Sequence, residues 1–313
     1  MIIEEFPNLQ WLQKQAEAAF ADGKTPYGIL PETPGWPNVV LNTATGRAYR
    51  PNIKGPLSLF FNLEGESRCK LHQRTVTIPQ GSFFLTNPGE YYTLEVESER
   101  PVTTFNVHFG QGFTERSLAS LLLPTDELLE QQAEATAVFD FSQQLYTAGP
   151  GFIQKVQALH TLHRKQQLSA SQEEAYLYDL LELVLGQQGK IKKQVQRLSV
   201  TKSSTRKELY HRLSIARDNL MGNFRNPLNL EELAQSGHLS KFHFLRSFRQ
   251  VFGITPHQFL LQLRLEEACR LLKTTREPIT EIARLSGFEH SESFHRAFRK
   301  RYGSAPGAFR KAL

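Results

Sequence analysis

Arg246 and Arg249 stand three residues apart, and fifty residues later Arg296 and Arg299 repeat the pair. A guanidinium stays charged at any physiological pH and offers a planar fork of donors, so a repeated arginine stripe suits phosphates. On a helical wheel of about 100° per residue, Phe242, Leu245, Arg246 and Arg249 share one face, and Phe244, Phe248 and Val251 lie roughly opposite. In the second copy Glu292, His295, Arg296 and Arg299 share the outward face, while Phe294, Phe298 and Arg301 fall on the inward stripe. Two helices with aromatic inner faces and cationic outer faces point to a polyanion as the partner.

The elements that position these residues are themselves duplicated. The segments FLRSFRQVFGITPHQF (244–259) and FHRAFRKRYGSAPGAF (294–309) agree without a gap at seven of sixteen positions. Each follows a short amphipathic run and a glycine corner: LNLEELAQS then Gly237-His238-Leu239, and PITEIARLS then Gly287-Phe288. That order reads as helix, turn, helix, with Ser240 capping the second helix of the first copy and His290 or Ser291 that of the other. Gly253 and Gly303 suit left-handed C-caps. Between the copies, PHQFLLQLRLEEACRLL (256–272) reads as a helix of about 25 Å.

From about residue 205 to 313 the chain resembles the DNA-binding domain of the AraC/XylS family of bacterial transcription regulators, in which two helix-turn-helix units are joined by a long helix. The second copy, IARLSGFEHSESFHRAFRKRYGSAPGAFRK, carries the more diagnostic pattern. The resemblance implies that Phe242, Leu245 and Arg246 enter one major groove and Ser291, Glu292, Ser293 and Arg296 the next, with Arg249, His295 and Arg299 on the same faces. Leu245 and Glu292 depart from the commoner pattern. Double-stranded DNA, a small-molecule effector, a second copy of the chain and RNA polymerase are the partners so implied.

Charge follows the same division. The formal net charge is +6, yet residues 201–313 hold 20 Lys+Arg against 10 Asp+Glu, leaving 17 against 21 for residues 1–200. The segment 188–207 has seven Lys/Arg and no acid and reads as a basic linker. In the helix that follows, Leu209, Leu213, Ala216 and Leu220 are expected to pack on the first copy, and Arg217 and Arg225 are candidates for phosphate contact or plain solvation. Cys69 and Cys269 are the only cysteines, which gives no disulfide framework. An acidic start without a long apolar run, and no membrane-length stretch, lead to the expectation of a soluble, cytoplasmic protein that does not enter a membrane.

Residues 8–21 read as a short amphipathic helix and 22–37 as a Gly/Pro-rich arm. From 38 to 112 the pattern changes to short strand-like runs, LSLFFNLE, SRCKLHQ, TVTIP, SFFLTN, YYTLEVE and TTFNVHF, which suggest a small barrel or sandwich. GSFFLTNPGEYYTL and FNVHF resemble a cupin-like regulatory barrel. Only His72 and His108 lie there, without a His-x-His pair, so neither a metal nor another cofactor is expected, and no catalytic constellation is legible. An apolar barrel with a few polar groups suits a small organic ligand, with Arg50, Phe60, Phe83, Tyr91, Tyr92 and His108 as candidates.

Residues 113–187 read as helical, and in the last of these helices Leu177, Tyr178, Leu181, Val184 and Leu185 form an apolar stripe. A core face is the default, and family resemblance offers the same stripe as a dimer contact. The expected architecture is therefore multidomain α+β: helix and arm (1–37), cupin-like barrel (38–112), helical region (113–187), basic linker (188–204), and an all-α domain (205–313) with units at about 228–253 and 278–303. The function expected is effector-gated, sequence-specific DNA binding without catalysis. A regulator controlled by dimerisation or a protein partner, and a cupin enzyme that also binds DNA, are the alternatives.

Overall fold

The computed structural model describes residues 2–3, 38–122, 140–165, 167–227 and 229–312. The helix expected over 8–21 and the arm over 22–37 lie outside these residues. The chain forms two compact units, residues 1–191 and 192–313.

The first unit is built on one mixed sheet: β1 (Ile2–Ile3), β2 (Val39–Lys54), β3 (Ser58–Glu64), β4 (Ser67–Leu71), β5 (Arg74–Ile78), β6 (Ser82–Thr86), β7 (Tyr91–His108) and β8 (Tyr146–Thr147). Its order is β1-β2-β7-β3-β6-β8, with β4 joined to both β5 and β7. The long β7 bonds β2 along one edge, while its other edge is shared between β4 near Tyr92–Glu95 and β3 near Thr103–His108. One strand serving two neighbours in succession curls the sheet into a half-barrel.

Alternation then assigns the two faces. Phe61, Phe83 and Phe105 stand opposite one another across β3, β6 and β7. They face the helical side: the Phe152 ring lies 5.4 Å from Phe61 and 4.6 Å from Phe83, and Tyr146 stacks on Phe83 at 4.9 Å. The opposite, inner face carries Ser58, Phe60, Cys69, Tyr92, Leu94, Thr104 and His108, all buried.

Two strand expectations need revision. Residues 39–54, part of the expected strand region but of none of its named runs, form β2, and the runs at 91–97 and 103–109 belong to the single strand β7. Pairing passes from Arg47↔Glu97 to Thr45↔Val102, so the exposed residues 98–101 bulge from the ladder. Their charge and Pro101 imitate a turn in the sequence.

Among its described residues this unit also has the helices α1 (Gln111–Leu122), α2 (Pro150–Arg164) and α3 (Ala170–Gln196), the last ending a few residues into the second unit. The second unit continues with α4 (Ser203–Asn223), α5 (Leu230–Ser236), α6 (Lys241–Phe252), α7 (Pro256–Thr274), α8 (Ile279–Leu285), α9 (Ser291–Tyr302) and α10 (Pro306–Lys311). Residues 188–196 of the expected linker are helical as the end of α3, with Ile191 buried among the lysines. No helix among the described residues is long and apolar enough to cross a membrane.

Candidate nucleic-acid interface

Each arginine-bearing helix is held by a local frame. In the first copy Asn229 caps α5 by accepting from the Glu231 amide at 2.8 Å, and Ser240 caps α6 by accepting from His243 at 3.4 Å. α6 ends at Gly253 with φ +80°, and α9 ends at Gly303 with φ +79°, as the sequence predicts. After Gly253 the chain enters α7 through a capping box, in which Thr255 accepts from the Gln258 amide and Gln258 Oε1 accepts from the Thr255 amide. The corresponding caps of the second copy, Pro278, His290 and Ala305, make no side-chain cap bond.

The turns are equivalent but not at the offset the sequence match gives. Leu239 N–H donates to Ala234 O at 2.9 Å, and Phe288 N–H donates to Ala283 O at 3.0 Å; His238 donates to Gln235 O as Gly287 does to Arg284 O, each at 2.9 Å. These matched bonds relate the first helix and turn of the two copies by 49 residues, whereas α6 and α9 are related by fifty. The second turn is one residue longer. His238, with φ +52°, therefore takes the left-handed position that Gly287 fills at +85°. Gly237 serves another need: a Cβ there would lie 2.5 Å from Arg212 O on α4.

Aromatic packing fixes the rotation of both helices. Phe248 has Phe244, Phe252 and Phe259 around it at 5.4, 4.5 and 5.8 Å. Phe298 has Phe294, Tyr302 and Phe309 around it at 5.5, 4.5 and 5.4 Å. Phe244, Phe248, Phe294 and Phe298 are fully buried. With these rings inside, the opposite face of each helix must point outward.

That face holds the expected residues. Phe242, Arg246, Arg249, Glu292, Ser293, His295, Arg296 and Arg299 are exposed, while Leu245 and Ser291 are partly buried. Among the described residues, Arg246, Arg249, Arg296 and Arg299 make no ion pair. Acids elsewhere in the unit engage other cations: Glu208 pairs with Arg212, Asp218 with Arg217, Glu231 with Lys241, Glu267 with Arg225 and Arg270, and Glu281 with Arg284.

Several cations considered for phosphate contact have structural duties instead. Arg217 is buried, bonded to Asp218 at 2.9 Å and placed over the Phe252 ring, and Arg225 reaches Glu267 at 2.9 Å. Arg197 donates to Val251 O, and Arg206 to Val200 O and Thr201 O. Leu209, Leu213, Ala216 and Leu220 are buried, as expected. Arg301, which the wheel puts on the inward stripe, is exposed, because a guanidinium on that edge reaches water at little cost.

In the first unit, Phe60, Tyr92 and His108 come together on the inner face: Phe60 lies 5.0 Å from Tyr92 and 6.0 Å from His108. Burial pulls the His108 imidazole down to about 4, so it is neutral at pH 7, and its Nδ1 lies 2.9 Å from Ser58 Oγ. Phe83 is separated from this group on the opposite face, Tyr91 is exposed near Lys54, and Arg50 borders a cleft of about 750 Å³ lined by residues of the paired strands β2 and β7. Thr43, Thr45, Arg47, Ala48 and Val96 also line this cleft. The sequence reading did not single out Thr43, Thr45, Arg47 and Ala48 because it named no run over β2, although the alternation of Leu41, Thr43 and Thr45 carried a signal, and it named the run with Val96 without assigning its face.

Burial also pushes the Cys69 thiol up to about 12, which keeps it protonated. No group of three His, Cys, Asp or Glu side chains comes together as a metal site among the described residues. The stripe offered for dimerisation is chiefly internal: Leu177, Leu181 and Val184 are fully buried, with Tyr178 and Leu185 partly so. A side chain with no exposed area has none to bury against a second chain.

Comparison with known proteins agrees with this division. A family model described as an AraC-like ligand binding domain matches residues 39–181, and one described as a helix-turn-helix domain matches residues 233–312. The MmsAB operon regulatory protein of Pseudomonas aeruginosa is 38% identical over 86 residues, 28% of either chain. The RCS-specific HTH-type transcriptional activator RclR of Escherichia coli is 36% identical over 84 residues, 27% of this chain and 30% of that protein. HTH-type transcriptional regulator GbdR of Pseudomonas aeruginosa is 25% identical over 187 residues, 59% of this chain and 48% of that protein. The chain thus spans under half the length of these relatives. Among solved structures, the C-terminal domain of AraT, a response regulator from Geobacillus stearothermophilus, is 31% identical, covering 33% of this chain and 85% of that one with a TM-score of 0.32. With an AraC-like ligand-binding match over the curled sheet and its helices, and a helix-turn-helix match spanning both arginine-bearing helices, the chain belongs to the AraC family of transcriptional regulators.

Proposed function

We propose that this protein binds double-stranded DNA through α6 and α9 and regulates transcription in response to a small molecule held by the curled sheet. The observation that carries the DNA reading is the set of four exposed arginines at repeated positions on α6 and α9, left without an acid partner among the described residues, in a unit where Arg212, Arg217, Arg225, Lys241, Arg270 and Arg284 are paired. The 19 residues of α7 make a rod of about 28 Å between the two copies, and neighbouring major-groove faces of B-DNA are about 34 Å apart. One copy per groove is the arrangement this length supports. Such a regulator works beside the chromosome, in the cytoplasm, and acts by recruiting or excluding RNA polymerase. A second copy of the chain on the same operator is part of this reading, through surfaces other than buried Leu177, Leu181 and Val184.

For the effector, the cleft combines the Arg47 and Arg50 cations, the Glu95 and Glu97 carboxylates and threonine hydroxyls with the smaller apolar sides of Ala48 and Val96. Charged groups of both signs and hydroxyls beside a small apolar wall suit a polar small organic ligand.

The decisive test is DNase footprinting and affinity on the operator. Arg246→Ala and Arg296→Ala should each weaken binding by about 5- to 100-fold and lower the salt slope by about one. Unchanged footprints would remove α6 and α9 from the interface. Native mass spectrometry of the full chain purified gently from its own cells tests the effector: a retained small molecule supports the gating, and a bare chain in the presence of cell metabolites opposes it.

A further inference from the structure

We propose that α6 and α9 read chemically different halves of one DNA site, α6 the 5-methyl groups of thymine and α9 the exocyclic amine of cytosine. This rests on the reading of the second unit as a DNA binder. The two helices share their arginines at equivalent positions, Arg246 with Arg296 and Arg249 with Arg299, so both offer the same means of holding phosphates. The positions between differ in kind. Phe242 and Leu245 of α6 correspond to Glu292 and His295 of α9.

Phe242 is 78% exposed, and the other phenylalanines among the described residues are buried or partly buried. It stands in a turn with Lys241, His243 and Arg246, so a purely apolar partner cannot cover it without burying charge. A surface that presents phosphates and an apolar edge together does cover it, and the thymine methyls in the major groove form such an edge. Leu245, one turn on and partly buried, extends the same strip.

Glu292 presents the opposite problem. Its exposed carboxylate lies on the face that carries Arg296 and Arg299, where phosphates would repel it. Its place in the first turn of α9 favours the helix but does not require approach to DNA. A carboxylate brought into the groove must find a donor, and the amine of cytosine is the base-edge donor that matches it.

The test begins with selection of binding sites from random duplexes by the full chain. One half of the enriched site is expected to be rich in thymine and the other to contain a fixed cytosine. Replacing each enriched thymine by deoxyuridine, which removes only the methyl, should weaken the wild type about three- to fourfold per contacted methyl. Phe242→Ala should shrink that difference, and the double variant Phe242→Ala/Leu245→Ala should bind both duplexes equally. Glu292→Gln should keep the thymine discrimination and lose at least about fivefold of the preference at the cytosine. Equal binding of deoxyuridine and thymine by the wild type overturns the proposal while leaving DNA binding intact. Loss of the cytosine preference in Phe242→Ala rather than in Glu292→Gln overturns the assignment of halves. A selection without any enriched sequence overturns sequence-specific binding, and this proposal with it.

Discussion

The two helix-turn-helix copies reach the same core by different local means. Around Phe248 and Phe298 the rings sit at nearly the same distances, which shows that aromatic packing sets the angle of each outward helix. The caps are not shared: the first copy has Asn229, Ser240 and Thr255 bonded to backbone amides, and the second has Pro278, His290 and Ala305, which make no such bond. A duplicated core therefore tolerates loss of local signals on one side. The reason is magnitude, since a buried phenylalanine contributes about 3–5 kcal/mol against truncation and a cap about 1 kcal/mol.

The sharpest way to break this parallel is to remove its centre. Phe248→Ala and Phe298→Ala should each cost about 3–5 kcal/mol in chemical denaturation, with matched losses because the ring environments match. A cost below 1 kcal/mol at either site would show that the packing there is not what orients the helix.

The glycines come next. Gly287→Ala combines a φ of +85° with a Cβ 2.8 Å from Arg225 Cα, whereas Gly303→Ala has a φ of +79° and open space. We expect about 1 kcal/mol for Gly303→Ala and at least about twice that for Gly287→Ala by thermal unfolding. Equal losses would mean that the close approach of the second turn relaxes freely.

The smallest effects concern the unequal caps and the unequal turn. Ser240→Ala should cost about 1 kcal/mol, and Ala305→Thr should gain about 0.5–1 kcal/mol by supplying the cap that Thr255 provides in the first copy. His238→Gly should also stabilise by about 0.5–1 kcal/mol, because glycine takes φ +52° without a Cβ penalty. A destabilised His238→Gly protein would assign the imidazole a contact that outweighs its backbone strain.

Much of the candidate interface was legible because it is periodic. Phenylalanines four residues apart on one side and arginines three apart on the other determine a helix face without reference to any partner, and the repeat after fifty residues doubles the signal. The ligand candidates were less legible. Phe83 and Phe60 both sit in strongly apolar strands, and only the pairing of β3 with β6 and β7 tells which ring faces the interior and which meets Phe152. Arg217 and Arg225 look like surface cations in one dimension, because their acids, Asp218 and Glu267, become partners only through side-chain direction and a return of the chain.

By itself the sequence determined the two copies, their outward arginines, the left-handed glycines at 253 and 303, and the change from strand to helix along the chain. Those features depend on neighbours within about a turn of helix or on alternation along a strand, which local chemistry encodes. Tertiary structure alone decided that 91–108 is one strand, that Leu177, Leu181 and Val184 are covered, and that His238 rather than Gly237 takes the left-handed place. In each of these cases the outcome is set by what packs opposite, since a pattern specifies that a face is apolar and leaves its cover to distant residues.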